Sequence, residues 1–164
     1  MNKKIFILAI LTMILLTGCS TEKEKNDLPK KETISCTKEL DNLTKNEKKT
    51  INITFIDEKM TDFEMKGIST IKQENYKEIT PTYNEYVNKL ADDFKNSLAK
   101  NTDPEFKYNV EVTDTKSIKY SISININAAK EETYAYYFKG PNITKTSKKE
   151  EVKNGYKSQG FTCK

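Results

Sequence analysis

The sequence predicts an α+β domain: an antiparallel, meander-type sheet of about five or six strands, packed on one face by one long helix and a short C-terminal helix. Three observations carry that expectation. Ile118, Tyr120, Ile122, Ile124 and Ile126 alternate without a break with Ser117, Lys119, Ser121, Ser123 and Asn125, the period of a half-buried strand. Tyr83, Tyr86, Val87, Leu90, Ala91, Phe94 and Leu98 instead recur at three and four residues, the period of one helix face. The strand-like segments lie in pairs with short polar breaks between them, which favours hairpins and an antiparallel sheet with one wetted face.

Taken in order, the folded part is expected to begin near Glu32, with Thr33–Thr37 as a β-branched strand that places Ile34 and Cys36 on one face. Residues 41–49 are polar and read as a loop. Residues 50–55 alternate, with Ile51, Ile53 and Phe55 inward, and Asp57-Glu58-Lys59 turns the chain into a return strand from Met60 to Ile71. Within that strand the apolar parity changes at Gly67, which suggests a bulge there. The long helix carries Pro81 in its first turn, with Thr80 or the pair Thr82 and Glu85 as its cap, and should end near Asn101. About twenty residues of helix span about 30 Å, enough to cross a small sheet.

The hairpin that follows pairs a strand containing Phe106, Tyr108, Val110 and Val112 with the Ile118–Ile126 strand. Residues 128–145 read either as a short helix or as an edge strand, ended by Gly140-Pro141. Ser147 and Glu150 have the spacing of a capping box ahead of a short helix through Val152 and Tyr156, and Gly160 is placed to cap its C-terminus. Phe161 and Cys163 then return the chain to the sheet.

The N-terminal region is organised differently. Lys3 and Lys4 precede an apolar run from Ile5 to Leu16, which ends in Leu16-Thr17-Gly18-Cys19. This is the arrangement of a secretory signal with a lipoprotein cleavage site: residues 1–18 form the signal peptide, and Cys19 becomes a lipidated first residue. The apolar run has 12 residues, whereas a membrane-spanning helix needs about 20, which argues against the alternative of an uncleaved anchor. Residues 19–31 are charged and nearly free of large apolar groups, so they read as a flexible tether. The twelve residues 20–31 reach at most about 40 Å. Residues 32–164 make up a single domain, and the protein is expected to be exported and held at the outer face of the cell membrane by a diacylglycerol on Cys19.

There are 3 cysteines. With Cys19 lipidated, Cys36 and Cys163 remain, and an even remainder in an exported chain points to a disulfide; two buried free thiols are the alternative. The bond would close a loop of 127 residues, which chain entropy alone would make worth about 4–5 kcal/mol.

Composition limits the function. Removing 18 of 164 residues leaves 146, and since those 18 carry Lys3 and Lys4 but no acid, the formal charge falls from +4 to +2. No basic stretch is interleaved with aromatics, so nucleic acid is not an expected partner. Histidine is absent, which removes the commonest general base and zinc ligand. Ser-x-x-Lys occurs at Ser20, Ser35, Ser69 and Ser97, a frequency that reflects a Lys-rich chain more than a nucleophile. The paired acids Asp57-Glu58, Asp92-Asp93, Glu131-Glu132 and Glu150-Glu151 lack calcium-loop spacing. No catalytic residue, metal site or cofactor is therefore expected. Tyr134, Tyr136 and Tyr137, with Phe138, are the candidate ligand-binding residues, as a stacking surface for a sugar or peptide; ordinary core packing is the competing reading.

The lipobox at Cys19, the charged tether, the strand-rich start, the long helix before a hairpin and the closing helix with Gly160-Phe161-x-x-Lys164 together resemble the YehR-like family of small bacterial lipoproteins. The chain departs from that pattern by carrying Cys36 and Cys163. The family is functionally uncharacterised, so the resemblance implies an α+β fold and a membrane-anchored location, with no activity to transfer. The functional expectation is a non-enzymatic, lipid-anchored extracytoplasmic domain that binds a protein, a peptide or an envelope component. The alternatives are a small-ligand-binding lipoprotein, which needs an apolar cavity beneath the long helix, and, less favoured, an enzyme of unrecognised type.

Overall fold

The computed structural model describes residues 28–73 and 82–164. The signal peptide, Cys19, most of the tether and the Thr80-Pro81 start of the long helix lie outside them. Six strands, β1 (Lys31–Asp41), β2 (Lys45–Ile56), β3 (Lys59–Ile71), β4 (Phe106–Asp114), β5 (Ser117–Asn125) and β6 (Thr162–Cys163), combine with α1 (Thr82–Leu98), α2 (Glu131–Lys139) and α3 (Lys149–Ser158). The sheet order is β4-β5-β3-β2-β1-β6, and every neighbouring pair is antiparallel. The fold is α+β.

Register turns the sequence alternation into rows across the inner face. One row runs Ile34, Ile53, Phe63, Ile124 and Phe106; the next runs Cys36, Ile51, Met65, Ile122 and Tyr108. Phe63 meets Tyr137 and Phe138 of α2, while Val152 and Tyr156 of α3 join the same core. The other face is polar and solvated, with Thr33 bonded to Thr54, Thr37 to Thr50, and Asn52 to Glu64. Most of its side chains are hydroxyls, amides and charges that need no cover, and Ile68 stands exposed among them.

Both ends of the domain are tied down. Cys36 and Cys163 face each other on β1 and β6 and are joined by a disulfide across 127 residues. Ser35 and Lys164 exchange both backbone hydrogen bonds beside them, so the cysteines occupy the non-hydrogen-bonded position, where side chains lie closest. Lys30, at the end of the tether, donates its backbone N–H to Asp57 in the β2–β3 turn. Gly160 caps α3 with φ +81°, a left-handed conformation natural to glycine, while the Phe161 N–H reaches back to the Tyr156 carbonyl.

Three local expectations are corrected, and one that was left open is decided. Residues 41–49 are not a loop: β1 runs to Asp41 and β2 starts at Lys45, and Asn42 turns the chain by accepting the Thr44 and Lys45 backbone N–H groups. The polar half of β2 is held as strand because β1 and β3 pair with it on both sides. Gly67 is not a bulge; it pairs in register with Lys49 and Tyr120, and the irregularity lies near the turn, where Thr61 is the extra residue opposite Thr54 and Phe55. Residues 131–139 form a helix and not an edge strand, which adds α2 to the two expected helices. The cap of α3 sits one residue later than Ser147: the Lys148 N–H donates to Glu151, while the Ser147 hydroxyl accepts the Thr144 N–H.

Candidate functional site

The inner face changes character toward one end. Beyond the Met65 row come Lys38, Lys49, Gly67, Tyr120 and Val110, then Leu40, Glu47, Ser69, Ile118 and Val112. At Gly67 and Ser69, the central strand contributes no large apolar side chain. The space this leaves is a cleft of about 1010 Å³, with β2, β3 and β5 as floor, Leu90 and Phe94 of α1 as one wall, and Thr133, Tyr136 and Tyr137 of α2 as the other. Its size is in the range of small-molecule sites.

Gly67 makes the polar floor. A Cβ there would lie 2.3 Å from the Tyr120 ring. Without one, the ring lies across β3, and the phenol donates a 2.7 Å hydrogen bond to Glu47 on β2. Phe94 meets the ring edge-on at 5.3 Å from above. Lys45 donates to the other Glu47 oxygen at 3.1 Å, and Lys49 stands 3.8 Å from the oxygen that Tyr120 occupies. Burial by itself would raise the Glu47 carboxyl, but the hydrogen bonds from Tyr120 and Lys45 and the charges of Lys49 and Lys45 outweigh it, holding the group below the usual carboxylate range. Burial, then the hydrogen bond to Glu47 and its charge, push the Tyr120 phenol up, so it stays a donor.

The opposite wall is positioned by Asp103. The N-cap residue of α2, Lys130, makes no side-chain cap. Asp103 replaces it from the α1–β4 loop, accepting the Lys130 N–H and the Thr133 hydroxyl at 2.7 Å each through one oxygen, and the Glu105 N–H at 3.0 Å through the other. The Thr133 bond and these backbone bonds lower its pKa, and its negative charge complements the helix N-terminus.

The structure separates the three candidate tyrosines. Tyr137 lies in the cleft against Phe63, with ring centroids 5.0 Å apart, and burial followed by the neighbouring Tyr136 pushes its phenol up to about 12. Tyr136 is 80% exposed at the rim. Tyr134 is buried, packs on Phe138 and points to the far flank of α2, beside Lys145. The sequence reading therefore located one wall but missed Glu47, Gly67, Tyr120 and Asp103. Gly67 carried the signal: a glycine inside a strand marks a bulge or a close approach, and here it is the close approach.

Among the Ser-x-x-Lys pairs, Ser35 and Lys38 lie on opposite faces of β1, and Lys72 pairs with Asp41, away from Ser69. Ser97 and Lys100 both border the cleft. Among the described residues, no three acids or cysteines converge as a metal site, and no helix is long and apolar enough to cross a membrane.

No family model matches this chain, and no curated protein matches it. Among solved structures, its fold is similar to the NMR structure of a protein from Streptococcus pneumoniae TIGR4. The TM-score is 0.52 at 10% identity, over 86% of this chain and 89% of that one. At that identity the likeness concerns the fold alone.

Proposed function

We propose that this protein is a lipid-anchored binding protein, displayed at the outer face of the cell membrane through Cys19, and that the cleft between α1 and α2 takes a small ligand. The cleft is the observation that carries the proposal. It provides the apolar cavity beneath the long helix that a small-ligand reading requires, with polar groups at one end to orient what enters. It favours a small ligand over the protein or peptide partner that composition alone suggested. The Cys36–Cys163 bond is in keeping with an oxidising, extracytoplasmic location. The reading is non-enzymatic, and the resemblance to the YehR-like lipoproteins belongs to the same proposal.

N-phenyl-1-naphthylamine, a neutral dye that fluoresces in apolar sites, tests the binding half. The folded domain should enhance its emission in a saturable way, and Ser97→Trp, an exposed position at the cleft wall, should abolish the enhancement without unfolding the domain. Saturable binding that Ser97→Trp leaves unchanged would place the dye elsewhere and contradict the proposal. Anchoring is tested by labelling cells with radioactive palmitate: label should enter the wild type and be lost in Cys19→Ala.

A further inference from the structure

We infer that the cleft selects an anionic amphiphile: a single small molecule with an apolar or aromatic body and one acid group, seated against Lys49. This rests on the ligand-binding reading above and specifies its chemistry. The Glu47 carboxylate faces two ammonium groups, Lys45 and Lys49. Its oxygens already accept from Lys45 at 3.1 Å and from Tyr120 at 2.7 Å. Lys49, at 3.8 Å, is outside hydrogen-bond distance of that carboxylate. One carboxylate against two ammonium groups leaves a net positive charge at the floor, with the Lys49 donors still to be satisfied.

The remaining charges on the cleft do not cancel it. Lys100, Asp103, Lys130 and Glu132 are the other charged residues that line it, two of each sign. Asp103 is engaged by the Lys130 backbone and Thr133. Beside the lysines, Met65, Ile122, Phe94 and Tyr137 supply an apolar bed. A neutral ligand would leave Lys49 with its 3.8 Å ion pair to Glu47 and no hydrogen bond among the described residues, and a fully charged one would leave the bed uncovered. An amphiphile with one acid group satisfies both, and its acid would make a charge-assisted hydrogen bond with Lys49. The recessed position of Lys49, whose side chain is 33% exposed, suits an acid on a free molecule better than the flat surface of a bilayer.

Two dyes that differ by one acid group provide the test. 8-Anilinonaphthalene-1-sulfonate is the sulfonated counterpart of N-phenyl-1-naphthylamine. The wild-type domain should bind the sulfonate about tenfold more tightly than the neutral dye, the size of one charge-assisted bond. Lys49→Gln should remove that preference, with an unchanged far-ultraviolet circular dichroism spectrum reporting that the domain is intact, and Lys49→Arg should restore most of it. Equal affinities for the two dyes, or a preference that survives Lys49→Gln, would overturn the acid-group assignment while leaving the cleft as a binding site. Failure to bind either dye would overturn the ligand-binding reading itself. Sedimentation with phosphatidylglycerol vesicles separates the sources of the acid: the soluble domain, residues 28–164, should stay in the supernatant, and Lys49-dependent co-sedimentation would assign the site to a membrane lipid instead of a free molecule.

Discussion

The two ends of one sheet face are finished in opposite ways. At one end, the row through Phe63 carries a large apolar side chain at every strand, and α2 and α3 close over it as a packed core, with the Met65 row forming the border of the cleft. At the other, the rows through Gly67 and Ser69 carry a lysine, a glutamate, a glycine and a serine at the central strands, and α1 spans a cleft. Pairing is antiparallel throughout, and the register is unbroken from the Phe63 row to the Ser69 row. Side-chain volume and polarity on two strands thus decide whether a helix seals a sheet or roofs a cavity.

That contrast can be broken from either side. The largest effect should come from the closed end: the double variant Cys36→Ser, Cys163→Ser should lose about 2–5 kcal/mol in urea unfolding, since the bond closes 127 residues of chain. Ligand binding should survive in the fraction that stays folded. Gly67→Ala comes next. Its methyl group would overlap the Tyr120 ring, so the variant should lose about 1–3 kcal/mol as an overpacked site does. It should also weaken dye binding, because the displaced ring has the cleft as its free space.

A smaller effect should follow from pH. The Glu47 carboxyl is held low in the folded protein, so the unfolded chain takes up the proton first as pH falls. The Glu47 contribution should be complete above an ordinary carboxylate pKa of about 4.3 and be lost below it. Urea midpoints at neutral pH and at about pH 3.5 should therefore differ less in Glu47→Gln than in the wild type. The smallest change sharpens the comparison from the dry side. The Tyr156 hydroxyl is buried without a hydrogen-bond partner among the described residues, and Tyr156→Phe should leave stability unchanged or raise it by about 1 kcal/mol, measured as the thermal midpoint.

Most strands and helices were legible in the sequence because their signals are local. The β5 alternation, the α1 stripe, the glycine after α3 and the even pair of cysteines each state their geometry within a few residues or by simple counting. The open end depends on partners far apart in the chain. Glu47 and Tyr120 are 73 residues apart, and nothing near Glu47 distinguishes it from the neighbouring lysines and glutamates of a polar segment. The start of α2 was ambiguous for the same reason: its cap is Asp103, 27 residues before the Lys130 N–H it accepts. Gly67 was noticed but misassigned, since only the register shows that a ring and not an extra residue occupies the space.

The central claim is that the open end is a binding site, and NMR can locate the ligand directly. Backbone amide spectra of the isotope-labelled domain should be recorded during titration with N-phenyl-1-naphthylamine. The largest shifts should fall on Met65, Phe94, Tyr120, Ile122 and Tyr137, which line the cleft. Shifts centred on Thr33, Thr37 and Asn52 of the opposite face, or a spectrum the dye leaves unchanged, would contradict the account.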